Sequence, residues 1–384
     1  MLVNTGAALW SSGFRPFFLG GAAFGPLAIA LWMLAPPAPL WHAHEMVYGF
    51  SMAIVCGVLL TALPSWSGAA DVRGGRLALL ALLWLVARVA ILAVAAIPPW
   101  FAAVLDCLLV PALLAIVVPS LGGARWRLFV WTLPPLVALF AGNVWYHAAL
   151  ARGDGEAALW GIMLGLHGLA FLYSLYGGLL TPAFTRTWLR ARGAPGAAIH
   201  VPLEYLTAAA MVAFAAADLA GAAPESVAGT ASFAFAVHVV RAARWQGWKT
   251  GSEPLLWTLH LGYLWFIAMF ALRAVAELTD LVPREAWIHA FTLGALGLTM
   301  TGLMTRVVLR HTGRTMTVAP WMRGAYVMVL AAALLRLAWS VHGLGLWAIA
   351  GSALLWGGGF VVYLSFYGTM LAAPSLPRPG KESK

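Results

Sequence analysis

The chain has 384 residues, of which 62% are hydrophobic and 9% charged, and its mean hydropathy is +0.87. A soluble domain carries about 25% charged residues to wet its surface, so this composition excludes a water-exposed globule and admits a helical bundle whose flanks face lipid. The net charge of +10 raises nucleic acid as a partner; the positions of the charges remove it.

From the N-terminus, Met1 to Arg15 lacks the basic-then-apolar build of a signal peptide, so the first apolar run is expected to be a retained helix. Apolar runs then predict twelve spans: 17–35, 45–65, 77–97, 100–118, 128–149, 158–180, 202–221, 227–246, 255–277, 286–308, 320–341 and 344–371. Of the 23 Lys and Arg, 18 fall at the N-terminus, the even-numbered connections or the tail. Arg152 and Arg284 alone lie on the opposite side, and Arg88, Arg273 and Arg336 fall inside spans. By the positive-inside rule both termini are cytoplasmic. The expected fold class is therefore all-α, a polytopic inner-membrane bundle of about 12 transmembrane helices. A single transmembrane domain covers 1–373, with a disordered cytoplasmic tail at 374–384. The longest connection runs from Thr181 to Val201.

Two internal registers are visible. His44, Gly49, Gly57 and Gly68 are matched at a constant offset by His289, Gly294, Gly302 and Gly313. A second register spaces Gly57, Gly177 and Gly297, and likewise Thr61, Thr181 and Thr301, by 120 residues, as if a four-helix unit occurred three times. The two registers disagree by five residues.

Ionisable groups buried in hydrocarbon are costly and point to function. Ten histidines stand in a chain with 13 acidic residues. His42, His44, His147, His167, His289 and His342 lie toward the outer membrane face, and His200, His238, His260 and His311 toward the cytoplasm. A neutral imidazole is a good ligand for haem iron and copper and brings no charge into low dielectric. His44 and His289 sit at equal depth on the second and tenth spans, as two ligands clamping one porphyrin would. His147, His200, His238 and His342 read as interfacial histidines. In Trp41-His42-Ala43-His44-Glu45-Met46, His42 and His44 project about 200° apart on a helix and need different partners. Glu45 can orient an imidazole, relay protons, or complement the helix dipole. Arg15 and the group Arg306, Arg310, His311 and Arg314 can bind a carboxylate such as a haem propionate, or anchor the topology at the headgroups. Arg88, Asp106, Glu204, Asp218, Arg273 and Glu277 lie within or at the edges of spans, and Arg273 and Glu277 have the spacing to pair. Cys56 and Cys107 form no CxxC, and both read as small buried hydrophobes.

The Gly13–Leu19 stretch, Trp41-His42-Ala43-His44-Glu45-Met46 with the run to Trp66, and the tenth span resemble the NnrS family of bacterial membrane proteins. That span reads His289-Ala290-Phe291-Thr292-Leu293-Gly294, continues to Thr305-Arg306 and closes at His311-Thr312-Gly313-Arg314. The chain has Gly178-Leu179-Leu180-Thr181-Pro182 where the family has a Gly-Arg-Val-Ile-Pro-like segment. The resemblance implies a twelve-helix protein that holds haem and copper and supports nitric oxide resistance, in denitrification and nitrosative stress. Imidazoles on spans two, six and ten are also reminiscent of the haem–copper oxidase catalytic subunit. On this reading His44 and His289 ligate a b-type haem, with Arg15 and Arg306 available to its carboxylates. His42, His167 and His260 join them as metal ligands for copper, and Glu45 supplies protons. Lack of CxxCH excludes c-type attachment.

The expected partners are nitric oxide, the lipid bilayer and an electron donor that the sequence does not identify. A reductase and a scavenger require the same ligands. The rival reading is a twelve-helix secondary transporter, of metal or haem. Bound haem would colour the protein red, whereas a transporter would be colourless.

Overall fold

The computed structural model describes residues 5–35, 38–119, 130–196 and 198–377. Arg125, Arg127, Arg378, Lys381 and Lys384, counted above for topology, lie outside the described residues. Each predicted span coincides with a helix: α1 (Phe14–Leu34), α2 (41–67), α3 (Gly74–Leu92), α4 (Pro99–Val117), α5 (Leu133–Ala151), α6 (Gly155–Arg190), α7 (Val201–Leu219), α8 (Pro224–Ala243), α9 (Pro254–Leu278), α10 (Ala286–His311), α11 (Pro320–His342) and α12 (Leu346–Ala372). All except α5 are long and apolar enough to cross a membrane. Asn143, Tyr146 and His147 lie in the second half of α5 and dilute its apolar character. No strand occurs among the described residues. The protein is a multi-pass, all-α membrane protein.

Three local features depart from the predicted pattern. The connection expected to begin at Thr181 begins after Arg190, because α6 continues through Pro182. Proline removes one backbone donor, the one to the Gly178 carbonyl, a loss that membrane helices tolerate. Just beyond it Thr185 Oγ1 donates to the Thr181 carbonyl at 2.8 Å and Thr187 Oγ1 to Ala183 at 2.9 Å. Second, α4 is interrupted between Pro99–Cys107 and Leu109–Val117. Pro111 cannot donate to the Cys107 carbonyl four residues back, which places the break there. Third, the described part of the tail is held. The Leu376 amide donates to Thr312 O at 2.9 Å and Ser375 Oγ to His311 O at 3.1 Å.

The helices group into two compact units. The first comprises Met1–Leu169, Arg306–Thr317 and Phe360–Lys384, and the second Ala170–Thr305 and Val318–Gly359. Within the first, α1 packs on α2, α3 on α4, and α4 on α5. Arg15, buried at the start of α1, donates to the carbonyls of Met370 (3.2 Å), Leu371 (2.7 Å) and Ala373 (2.6 Å) and to Ser375 Oγ (3.0 Å). The last carbonyls of a helix have no partner within it, and one guanidinium supplies them here.

Within the second unit, α7 packs on α8 and α8 on α9. Two charged networks hold its helices. Arg241 donates to Ser174 O at 2.8 Å and Tyr263 Oη at 3.0 Å and pairs with Glu204. Arg273 pairs with Asp218 at 2.6 Å and, as its spacing predicts, with Glu277 at 2.6 Å. His238, read above as interfacial, is fully buried with Nδ1 2.7 Å from Tyr263 Oη.

The register that pairs His44 with His289 reappears in the backbone. α2 runs as an α-helix over Trp41–His44, widens to a π-helix over Glu45–Ser51, and resumes as an α-helix over Met52–Ser67. In α10 the same sequence of forms occurs at Ala286–His289, Ala290–Gly297 and Leu298–His311. Both helices are followed by a glycine in the left-handed region, Gly68 (φ 78°) and Gly313 (φ 75°), which a side chain would strain. Each unit thus carries one histidine at the mouth of a π-helical segment.

Candidate metal centre

A π-helical turn is rare and concentrates at functional sites. In α2 it follows an abrupt start at Leu40, a non-glycine residue with φ 61°. The segment turns His44, Glu45, Tyr48 and Gly49 inward, all buried. Its loosened carbonyls find side-chain donors: Trp84 Nε1 donates to Gly49 O at 2.9 Å and Ser51 Oγ to Met46 O at 2.7 Å.

Around His44 six side chains from four helices close into one network. His44 and Glu45 come from α2, Arg88 from α3, Asp106 from α4, and Asn143 and His147 from α5. His44 Nδ1 lies 2.9 Å from Glu45 Oε1. Its Nε2 lies 3.0 Å from Asn143 Oδ1 and 3.1 Å from Asp106 Oδ2. Asp106 Oδ2 also accepts from Asn143 Nδ2 at 2.9 Å and lies 2.9 Å from His147 Nε2. Arg88 joins the acids, through Nη1 to Glu45 Oε1 at 2.7 Å and through Nη2 to Asp106 Oδ1. His44 and Glu45 are 0% exposed, Arg88 2% and Asp106 3%. Such burial of charge is sustained only by pairing of this kind.

Both ring nitrogens of His44 face oxygen acceptors, whereas a neutral imidazole donates from only one. The remaining contact calls for a second proton or a cation. His44 Nε2, Asp106 Oδ2 and His147 Nε2 lie within 4.8 Å of one another and form the one group of three or more such ligands among the described residues. Metal bonds of about 2.0 Å at tetrahedral angles put neighbouring ligand atoms about 3.3 Å apart. The two edges to Asp106, 3.1 and 2.9 Å, need only a small expansion to reach that spacing, and the edge between the two imidazole nitrogens lies within 4.8 Å. A porphyrin does not fit on His44, because Asn143 and Asp106 occupy the approach to Nε2 and Glu45 the approach to Nδ1.

The profile of the family described as NnrS protein matches residues 8–375. The chain belongs to the NnrS family. Comparison with curated proteins gives no match.

The structure joins some of the residues picked from the sequence and separates others. His44, Glu45, Arg88 and Asp106, singled out individually, share one site in this NnrS protein. His147, expected at the interface, belongs to that site, as does Asn143, which the sequence reading passed over. Asn143 and His147 lie four apart and so share a face of α5, which was the available signal. His42 stacks on Trp32 instead, with ring centroids 4.3 Å apart. His167 is buried. His260 Nε2 bonds Thr185 Oγ1 at 2.8 Å in the second unit. His289 is half-buried at the start of the second π segment, and Arg306 is half-buried on α10. Arg15 is engaged as the cap of α12.

Proposed function

We propose that this NnrS protein is an inner-membrane protein of the nitric oxide response that holds copper at His44, Asp106 and His147 and binds or reduces nitric oxide there. The observation that carries the reading is the convergence of two imidazoles and a carboxylate at metal-ligand spacing in a buried network of which His147 is the one partly exposed ligand. Family membership supports the nitric oxide response. The two imidazole nitrogens are ligands that copper accepts. Copper held there would supply one-electron chemistry toward nitric oxide.

The chain's own groups do the rest. Glu45 holds the His44 ring through Nδ1 and so aims Nε2 at the ion, the role of an outer carboxylate. Arg88 fixes Glu45 and Asp106 to one another. Glu45 Oε2 has no hydrogen-bond partner and is the carboxylate oxygen that accepts a proton and passes it on. Nitric oxide is small and apolar and reaches the site through the bilayer. Both termini are cytoplasmic by the charge asymmetry. The haem b expected with copper is assigned to His289, and no step here runs through it.

Buried ion networks also serve proton-coupled carriers, so the experiment separates the two readings. Elemental analysis and nitric oxide consumption are measured on detergent-purified wild type, His44→Ala and His147→Ala. Near-stoichiometric copper, lost in both variants together with nitric oxide binding, is the expected result. A metal-free, colourless wild type from metal- and haem-replete cells sinks the proposal in favour of transport.

A further inference from the structure

The network around His44 has a definite charge. Glu45 and Asp106 bring two negative charges, Arg88 one positive charge, and the ligand imidazoles none. Arg88 is not a bystander at the edge: it bonds both carboxylates and is 2% exposed. Gly49 makes its place, since a Cβ there would lie 3.0 Å from Arg88 Nη1 and 3.0 Å from Glu45 Oε2. The cage therefore carries one net negative charge before an ion enters. A monovalent ion brings it to neutrality, whereas a divalent ion leaves one positive charge in an apolar span. Charge imbalance is expensive in such surroundings.

We infer that Arg88 sets the valence of the His44–Asp106–His147 site, making it selective for a monovalent soft cation, cuprous copper, over divalent copper or zinc. Arg88 touches no ligand nitrogen and is a positioning and charge-setting residue. Two imidazoles and one carboxylate would by themselves accept zinc as readily as copper; the guanidinium tips the balance. The inference rests on the metal-site reading above and adds the oxidation state in which the ion is held.

The test compares competitive affinities for cuprous copper and zinc, with chelators of known affinity, in intact detergent-purified protein. Arg88→Met removes the positive charge and is expected to move the affinity ratio toward zinc by about tenfold or more. Glu45→Gln removes a negative charge and moves the ratio the other way. The double variant Glu45→Gln/Arg88→Met restores one net negative charge and is expected to return the ratio to near wild type, as is Arg88→Lys. A geometric role for Arg88 would not be rescued by deleting its partner. Should Arg88→Met fail to fold, Glu45→Gln and the double variant carry the comparison. An unchanged ratio in the single variants, or a double variant that fails to revert, overturns the inference while leaving the metal site in place. A wild type that binds neither ion overturns the site itself.

Discussion

The rings of His44 and Tyr146 lie nearly face to face, with centroids 4.3 Å apart and planes 23° from parallel. With Glu45 on Nδ1, this contact leaves the imidazole one orientation. Stacking of this kind contributes about 0.5–1.5 kcal/mol. Tyr146→Phe, which keeps the ring, should bind copper as wild type does. Tyr146→Leu should weaken binding by about twofold to tenfold, measured by chelator competition.

Asp106 is the hub of the network, accepting from Arg88 and Asn143 and facing both histidines. Asp106→Asn keeps its shape and removes its charge. The variant should lose most of its copper and fall in stability by about 3 kcal/mol, since a buried charge loses a partner. Elemental analysis reads the first effect and a denaturation midpoint the second. Full copper retention would show that the carboxylate is no ligand.

Two glycines on α2 separate packing from chemistry. A Cβ at Gly49 would lie 2.9 Å from the Phe24 ring as well as against Arg88 and Glu45, whereas one at Gly57 would lie 2.6 Å from the Phe18 ring. Overpacking costs about 1–3 kcal/mol in either case. Gly49→Ala should therefore destabilise the protein and weaken metal binding, and Gly57→Ala should only destabilise it. Paired measurements of melting temperature and copper affinity check the contrast.

Arg15→Gln removes the donor that satisfies the carbonyls at the end of α12. A loss of roughly 2–3 kcal/mol is expected, as for charged hydrogen bonds to buried acceptors. The segment around Ser375 should become more open to protease, with copper content unchanged. Equal digestion rates in variant and wild type would argue against the cap.

Much of the fold was legible because lipid imposes a simple rule. A run of apolar residues long enough to cross the bilayer must be a helix, and eleven of the twelve predicted runs coincide with helices of that length and apolarity. What the rule does not encode is interruption. Pro111 marks the break in α4, yet a proline within an apolar run also occurs at Pro182, where α6 continues. The π segments carry no compositional mark, because α- and π-turns ask for the same apolar residues. The repeated spacing of His44, Gly49, Gly57 and Gly68 was the only trace of them. At the site, His44 and Glu45 were visible as a costly pair in a span, and Arg88 and Asp106 as isolated charges. Their joining depends on contacts between helices far apart in the chain, which periodicity cannot supply. His147 was misread for the same reason: with its contact to Asp106 not legible, an imidazole near a helix end looks like a headgroup ligand.

Arg15 is made long before its partners at Met370 to Ser375, which follow it by 355 to 360 residues. The unit that houses the metal site is thus completed only after the whole of the second unit has been synthesised. Domains generally fold in the order of their synthesis, but here the unit begun first closes last. A chain stalled before Met370 would leave Arg15 without the carbonyls that satisfy it, so the metal centre's own unit closes only once synthesis has passed that point.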